Sequence, residues 1–202
     1  MRHAELSEAP DLMMSSRLQI DANRKARKYP PRIQAARVLW AVGRVLFRVI
    51  PRPLHVLRIP LLRLFGARIG RNVHISNSAI IYFPWELVVG DESAIGDWAY
   101  VYNLAELRIG RRVTISQRAH LCGGTHDYRD PGMPLVRCLI EVGDDAWICA
   151  DAFVGPGVAV GAGAIIGARA VVMKDVEAWQ IIVGNPARVV RKRVLNERAS
   201  DV

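Results

Sequence analysis

The chain has 202 residues and is 51% apolar, which suits one domain with a substantial core and a short appendage. Its formal net charge is +9, which attracts nucleic acid, anionic lipid or phosphorylated ligands. No nucleic-acid-binding motif accompanies that charge, so we expect no nucleic acid partner. Cys122, Cys138 and Cys149 form no CxxC pair, and the N-terminal sequence has no signal-peptide pattern, which favours free thiols in the cytoplasm.

Residues 1–68 are predicted to form a polar segment followed by helices. Residues 1–30 are polar and basic and are expected to be loosely ordered. Residues 32–50 place apolar side chains on one broad helical stripe, and two prolines end that helix. A second helix is predicted over about 54–65.

These helices are too short for a membrane span, which needs about twenty uninterrupted apolar residues. Two roles remain open for residues 32–65. They cap the open apolar end of the repeats that follow, which we favour because a solenoid needs its terminal face covered. The alternative role, compatible with the first, is a basic amphipathic helix on the inner face of an anionic membrane, which would suit a lipid-linked acceptor.

From residue 69 onward, aliphatic residues recur every six positions, and glycine follows eight of the fifteen. This period fits neither a helix face nor an alternating strand. It is typical of a hexapeptide β-solenoid, in which each repeat is one short strand and a corner. We expect the glycines to relieve backbone strain at the corners. The recurring residues are Ile69, Ile75, Ile81, Val89, Ile95, Val101, Ile109, Ile115, Leu121, Val142, Ile148, Val154, Val160, Ile166 and Val172.

The spacing of the repeats predicts about five coils of eighteen residues and one long excursion. The first two coils each contain two extra residues, which predicts small bulges. Leu121 and Val142 are twenty-one residues apart where six would continue the pattern, so about fifteen residues must leave the solenoid. We expect the resulting loop, residues 122–141, to carry function, because expelled loops on repeat scaffolds often do.

Four motifs make a family resemblance specific: Thr114–Gln117 (TISQ), Gly124–Pro131 (GTHDYRDP), Gly143–Ile148 (GDDAWI) and Gly184–Arg188 (GNPAR). With them, the chain resembles the left-handed parallel β-helix acyltransferases of the hexapeptide-repeat family. Within it, the maltose/galactoside O-acetyltransferase branch and its colanic acid biosynthesis members are most similar. The resemblance, not the period, implies left-handed coils, since right-handed crossovers are the general rule.

The same resemblance implies an all-β solenoid over 69–177 and a C-terminal turn and short helix over 178–202. It also implies a homotrimer that uses acetyl-CoA as acetyl donor and requires no metal.

Acetyl transfer to an alcohol requires that the hydroxyl lose its proton as it attacks the thioester carbonyl, and a neutral imidazole suits that role near neutral pH. His126 follows Gly123 and Gly124, which permit a sharp exit from the solenoid. The resemblance implies that His126 is the general base. It assigns acceptor contacts to Asn103, Asp127 and Tyr128. A carboxylate such as Asp127 could also orient the imidazole, although such loop residues are equally typical of turns.

By resemblance, seven residues contact acetyl-CoA in a groove between two subunits. The residues that line the coenzyme are Trp147, Ala150, Ala168, Met173 and Lys174. Arg188 and Arg191, in the predicted C-terminal helix, bind the nucleotide phosphates through their planar donor forks. Ala150 and Met173 replace the serine and threonine that are usual in close relatives, so one or two side-chain hydrogen bonds are lost.

The leading hypothesis is an O-acetyltransferase that acts on a sugar hydroxyl, small or lipid-linked, in exopolysaccharide or other surface-glycan biosynthesis. The same scaffold could instead acetylate an amine of an amino sugar or antibiotic, because acceptor contacts come from loop residues with little sequence code. A third hypothesis is a zinc protein like the γ-class carbonic anhydrases, with ligands among His74, His120 and His126, or a catalytically silent scaffold.

Overall fold

The computed structural model describes residues 18–196, except for the side chains of Ala22 and Arg52. Within this range the helical segments come first: α1 (Ile20–Lys25), α2 (Pro31–Val49), a 3₁₀ helix (Arg52–Leu57) and α3 (Arg58–Leu64). α2 and α3 lie where the apolar pattern predicted helices, whereas α1 lies in the segment expected to be loosely ordered. Residues 1–17 and 197–202, which belong to the predicted terminal segments, lie outside the described residues.

The strands then wind into coils in chain order. Coil 1 contains β1 (Arg68–Ile69), β2 (His74–Ile75) and β3 (Ile80–Ile81), and a 3₁₀ turn (Pro84–Glu86) follows it. Coil 2 contains β4 (Leu87–Val89), β5 (Ala94–Ile95) and β6 (Tyr100–Tyr102), and coil 3 contains β7 (Leu107–Ile109), β8 (Thr114–Ile115) and β9 (His120–Cys122). After β10 (Gly124–His126) and β11 (Leu135–Arg137), coil 4 contains β12 (Ile140–Val142), β13 (Trp147–Ile148) and β14 (Phe153–Val154). Coil 5 contains β15 (Ala159–Val160), β16 (Ile165–Ile166) and β17 (Val171–Val172), and β18 (Gln180–Val183) and β19 (Arg188–Lys192) follow.

Successive coils stack into the three parallel faces of a prism. Face A has the strand order β1-β4-β7-β12-β15, face B the order β2-β5-β8-β13-β16-β18, and face C the order β3-β6-β9-β14-β17. Five coils are complete, and a sixth begins with the Val160–Val176 bridge on face A and with β18 on face B. The solenoid predicted from the six-residue period is therefore confirmed.

Face B shows the register of the coils, because the inward residue is the same in every rung. Each of these isoleucines pairs with the one in the next coil, and each is at most 5% exposed. Burial of such a side chain contributes about 1.5–3 kcal/mol. The stack consists of Ile75, Ile95, Ile115, Ile148, Ile166 and Ile182.

Two of the repeat glycines make room for the next coil instead of relieving backbone strain, which was the expected role. Left-handed backbone at the corners is adopted largely by other residues, such as Arg112 with φ 55°. A Cβ at Gly90 would lie 2.6 Å from the Gly110 carbonyl carbon of the next coil, and a Cβ at Gly143 would lie 2.6 Å from the Ala162 nitrogen. The expectation of strain relief is wrong at these two positions, where glycine is needed because neighbouring coils approach so closely.

Helix α2 covers the open end of coil 1 with one face. Its buried residues are Trp40, Gly43 and Phe47, spaced three and four apart as a helix face requires. The Trp40 Nε1 donates a hydrogen bond to the Ile81 carbonyl at 3.0 Å. A Cβ at Gly43 would lie 2.6 Å from the Phe65 ring, so glycine lets this aromatic residue pack against the helix.

The excess residues after coil 3 form a flap, residues 123–139, rather than an irregular loop, because β10 and β11 pair antiparallel within it. The flap leaves and re-enters at the corner between faces C and A, so coil 4 stacks directly on coil 3. Arg112 and Arg118 accordingly pair with Asp145 and Asp151, each 33 residues further on, at 2.7 and 2.8 Å. That offset is one coil of eighteen residues plus the fifteen that are inserted.

The prediction of a C-terminal helix is wrong for residues 178–196, which are the described part of the predicted segment. β18 continues face B beside β16, and β19 folds back antiparallel on β18. The open edge of β18 presents unpaired N–H and C=O groups, and the returning chain satisfies them. Val189 and Val190 are β-branched and suit a strand. Arg188 and Arg191 therefore lie on a strand, not on a helix.

The buried guanidinium of Arg58 joins the helical cap to the solenoid. It is fully buried and donates to the Ile75 carbonyl at 2.9 Å and to the Ile50 carbonyl at 2.7 Å. We predict that Arg58→Met lowers the free energy of unfolding by about 2–4 kcal/mol, because both carbonyls lose a charged donor. Urea denaturation at fixed protein concentration measures the change.

The matched control is Arg71→Met, which removes an exposed guanidinium that pairs with Asp91 at 3.1 Å. Exposed ion pairs contribute at most about 1 kcal/mol, so this variant should stay close to the wild type. Equal losses in the two variants would contradict a locking role for Arg58.

Candidate active site

A small hydrophobic cluster supports the flap at the corner between faces C and A. Its buried members are Tyr29, Phe83 and Leu104, and Leu135 of the flap packs against them. The Tyr29 and Phe83 rings meet edge to face with centroids 5.7 Å apart, and the Arg137 guanidinium of the flap lies 4.6 Å from the Tyr29 centroid. Phe83 and Leu104 lie in the extended corners that follow coils 1 and 2. The small bulges predicted from the spacing therefore form the platform under the flap.

His126 ends the first strand of the flap and presents an exposed imidazole. It lies opposite Leu135 in the hairpin, and its Nδ1 is 2.7 Å from the Met133 carbonyl oxygen. A carbonyl oxygen can only accept, so the hydrogen of a neutral imidazole resides on Nδ1 and leaves a lone pair on Nε2. This arrangement gives His126 the chemistry that a general base needs.

Helix α1 fastens the same turn of the flap. The Asn23 side-chain amide donates to the Gly132 and Met133 carbonyls. The Met133 carbonyl thus accepts from both Asn23 and His126, so α1 helps to fix the imidazole. Sequence reasoning missed this contact, because Asn23 and Met133 are 110 residues apart and neither belongs to the repeat.

Asp127 and Tyr128 lie next to His126 near the tip of the flap. The Asp127 carboxylate accepts a hydrogen bond from the Arg129 backbone N–H at 3.0 Å, which is a turn-forming contact. The Met133 carbonyl, rather than Asp127, makes the hydrogen bond to the imidazole. Tyr128 is 76% exposed, with the Arg129 guanidinium 5.7 Å from its ring centroid, so its side chain is accessible to a ligand.

Asn103 lies beneath the flap and not on its surface. It is fully buried, and its side-chain amide bonds the Phe83 backbone twice, accepting from the N–H at 3.0 Å and donating to the carbonyl. These bonds join the extended corners of coils 1 and 2. The geometry does not fit the acceptor contact predicted for Asn103, because the chain already engages both ends of the amide.

The residues predicted to contact coenzyme A separate into two groups within one chain. Trp147 lies on face B, where its indole N–H donates to Ser116 at 2.9 Å, and Ala150 and Ala168 lie at the corner between faces B and C. The second group, Met173, Lys174 and Arg188, lines a cavity of about 320 Å³ at the C-terminal end of the prism, with Met173 and Lys174 at the corner between faces C and A and Arg188 paired with Val183 of β18. Arg191 is exposed on β19 and does not line this cavity.

The flap, Met173 and Lys174 share one edge of the prism. The flap leaves the C–A corner after coil 3, and Met173 and Lys174 occupy the same corner after coil 5. Parallel rungs are about 4.8 Å apart, so two rungs separate them by about 10 Å along the axis. The imidazole of His126 and the ammonium of Lys174 thus share one edge, whereas the first coenzyme group lies across the width of face C.

The three histidines considered as zinc ligands do not converge within one chain. His120 lies between the Tyr100 and Phe153 rings, with centroids 4.7 and 5.1 Å away, and the His74 ring is tilted against that of His55, with centroids 5.0 Å apart. Among the described residues, no group of three or more His, Cys, Asp or Glu side chains could hold a metal ion.

Comparison with known proteins decides the family. A family model for the bacterial transferase hexapeptide (six repeats) matches residues 140–174. The Escherichia coli (strain K12) protein named "Putative colanic acid biosynthesis acetyltransferase WcaF" is 42% identical over 158 residues, which cover 78% of this chain and 87% of that protein. The chain belongs to the hexapeptide-repeat acetyltransferase family. The family predicted from the four sequence motifs is confirmed.

Solved structures of this family share the whole architecture. A maltose O-acetyltransferase from Clostridium difficile 630 superposes with a TM-score of 0.76 and 19% identity, covering 90% of this chain and 100% of that one. A galactoside acetyltransferase in complex with coenzyme A gives a TM-score of 0.76 and 20% identity, covering 86% of this chain and 88% of that one. The fold is the left-handed parallel β-helix of hexapeptide-repeat acetyltransferases.

From the half-buried His120 we expect the stability of this acetyltransferase to depend on pH. Burial lowers the pKa of its imidazole below the ordinary value of about 6.5, and its Nε2 has no hydrogen-bond partner within residues 18–196. The unfolded chain therefore binds a proton more readily than the folded protein. The contribution is fully present above pH 6.5, and the free energy of unfolding should fall as the pH drops below that value.

We predict that His120→Phe removes this part of the acid destabilisation while it keeps the ring contacts to Tyr100 and Phe153. The measurement is the free energy of unfolding of both proteins at pH 8 and at pH 5.5. The advantage of the variant should be larger at pH 5.5. An identical difference at both pH values would contradict the lowered pKa.

Proposed function

We propose that this acetyltransferase moves an acetyl group from acetyl-CoA to a sugar hydroxyl in surface-glycan biosynthesis, with His126 as general base. The observation that carries the proposal is the exposed imidazole whose Nδ1 bonds the Met133 carbonyl and whose Nε2 is left to accept a proton. Lys174 on the same edge, and Arg188 in the same cavity, support an anionic donor. The named roles of the relatives, in colanic acid biosynthesis and in maltose or galactoside acetylation, support a sugar acceptor.

In the proposed reaction, Nε2 of His126 takes the proton of the acceptor hydroxyl while the hydroxyl oxygen attacks the thioester carbonyl of acetyl-CoA. The imidazolium that forms keeps its Nδ1–H bond to the Met133 carbonyl, which stabilises the positive charge. The tetrahedral intermediate then collapses, the C–S bond breaks, and the coenzyme sulfur receives the proton from Nε2. The acceptor leaves as an acetyl ester and the coenzyme as its free thiol.

No acyl-enzyme is required in this scheme. Cys122, the thiol next to the flap in sequence, is half-buried and directs its sulfur to the Gly124 carbonyl at 3.3 Å. A catalytic thiolate needs an electropositive, accessible setting, and a backbone carbonyl does not supply one. Direct attack by the acceptor therefore suits the geometry better than attack by Cys122.

The two coenzyme groups favour a site shared between subunits. Met173 and Lys174 lie at one edge of face C, whereas Trp147 and the two alanines lie beyond its other edge, on the side where Arg188 pairs with Val183 of β18. One ligand can contact both groups if the C–A corner of one subunit meets the B–C side of the next. We therefore propose a homotrimer in which each groove takes half of its residues from each neighbour.

We also propose a cytoplasmic location. All three cysteines are free and only partly exposed, which suits a reducing compartment. Among the described helices, none has both the length and the apolar character needed to span a bilayer.

We predict that His126→Ala lowers kcat by about 100- to 10,000-fold, because the acceptor hydroxyl loses its proton acceptor. Coenzyme A affinity should change little, since His126 does not line the cavity. The release of the coenzyme thiol measures the rate, with soluble glycans and amino sugars as acceptors. Treatment of the product with mild base then distinguishes an acetyl ester, which is cleaved, from an acetyl amide, which is stable.

The matched control for this variant is His55→Ala. His55 lies in the 3₁₀ helix of the cap, outside both the flap and the cavity, so this variant should keep full activity. Unchanged acetyl transfer in His126→Ala would overturn the assignment of the base. A base-stable product in the wild type would replace the O-acetyl assignment with N-acetylation.

A second prediction concerns the shared groove. Trp147→Ala and Lys174→Glu should each reduce activity strongly, because each removes one side of every groove. In trimers assembled from both variants, about a quarter of the grooves combine two wild-type sides, so about a quarter of the wild-type activity should return. Such mixed trimers are made by co-expressing the two variants or by refolding them together, and the activity per trimer is then compared with that of the wild type. The absence of any recovery would mean that one subunit supplies both residues.

A further inference from the structure

We infer that the outer face of helix α2 docks on an anionic lipid bilayer; this inference extends beyond the proposed reaction and does not depend on it. Helix α2 carries six exposed aliphatic residues outside its buried face, and we call them the apolar cap face. Four more exposed aliphatic residues follow in the 3₁₀ helix and α3. All ten are between 49% and 81% exposed. The apolar cap face consists of Val38, Leu39, Val42, Val45, Leu46 and Val49, and the additional residues are Leu54, Val56, Leu57 and Leu64.

The direction of this face follows from helix geometry. Trp40, Gly43 and Phe47 point toward coil 1, so the residues on the other side of α2 point away from the solenoid. Val45 and Val49 lie on that side, one turn apart. An exposed aliphatic row of this length is unusual on a soluble surface and indicates an interaction site.

The charge of the cap indicates which partner fits. Between Asp21 and Glu86 the sequence contains thirteen Lys and Arg residues and no Asp or Glu. Arg44 and Arg48 are exposed along one flank of the apolar cap face, and the Arg48 guanidinium also lies 4.8 Å from the centroid of the Trp98 ring. An apolar stripe beside a row of cations complements the acyl chains and phosphate groups of an anionic bilayer.

Two other occupants fit less well. A symmetric contact with a second copy would bring the same cations together, which is unfavourable. A membrane crossing does not fit either, because within residues 18–196 no helix has the length and hydropathy for it. The helix therefore lies in the plane of the interface, with its buried side on coil 1.

Docking in this orientation would hold the flap near the lipid surface. The flap leaves the solenoid two rungs from coil 1, which is about 10 Å, and α2 adds about 10 Å more. If the proposed function holds, an acceptor glycan carried on a lipid then lies within reach of His126.

Co-sedimentation with vesicles tests the inference on the full chain. We expect the protein to bind vesicles of phosphatidylcholine mixed with phosphatidylglycerol and to bind phosphatidylcholine alone much more weakly. The double variant Val42→Glu with Leu46→Glu should lower the partition coefficient at least about tenfold, because two charges enter the apolar face. The matched control is Val194→Glu, which alters a residue that is 84% exposed and remote from the cap, and it should bind as the wild type does.

A second pair of substitutions tests the electrostatic contribution to vesicle binding. Arg44→Gln with Arg48→Gln should weaken binding to the anionic vesicles by about fivefold for each cation removed at low salt. Failure of the wild type to bind anionic vesicles would overturn the inference, and so would equal binding by the Val42→Glu, Leu46→Glu variant.

Sedimentation velocity distinguishes the remaining alternative. If the Val42→Glu, Leu46→Glu variant loses its assembly state, the face is a contact between subunits and the membrane inference is overturned. Acetyl transfer to a water-soluble acceptor should be unchanged in that variant, so a failure of docking is separable from a failure of the proposed reaction.

Discussion

The close stacking of one coil on the next is the constraint on which the rest of this structure depends. Every inward residue of face B meets the same residue type in the next coil, and Gly90 and Gly143 have no room for a Cβ because backbone lies against them. Residues that do not fit an eighteen-residue coil must therefore leave at a corner. All three coils with surplus residues release them at the corner between faces C and A, where Phe83, Leu104 and the flap come together.

The stacking also explains how the candidate base is held. A hairpin of three pairs is too short to be stable alone, and the flap gains support from the cluster around Tyr29 below it and from α1 beside it. The imidazole of His126 is fixed through a backbone carbonyl, which cannot exchange its role as acceptor. The tautomer of His126 therefore depends on the path of the chain at Met133 and not on a neighbouring side chain.

The parts of the fold that could be predicted are those governed by local period. The six-residue recurrence specified the inward isoleucines, and the twenty-one-residue interval specified where the flap would leave. The C-terminal segment was predicted wrongly, because its strand conformation is imposed by the free edge of β18. Asn103 was predicted to contact the acceptor, but its side-chain amide is engaged by the backbone of Phe83, twenty residues earlier. His126 was found through a family motif, whereas the partners that orient it lie in segments without any pattern.

All the residues that exceed the eighteen-residue coil lie at one edge of the prism, and this determines where the sequence can gain or lose residues. The corner between faces C and A accepts two extra residues in two coils and fifteen in the third, and the strands on either side keep their register. The entropic cost of a longer loop grows only slowly with its length. Insertions and deletions at this corner can thus reshape the flap and the proposed acceptor site over evolutionary time, while the stacked coils of the prism keep their packing.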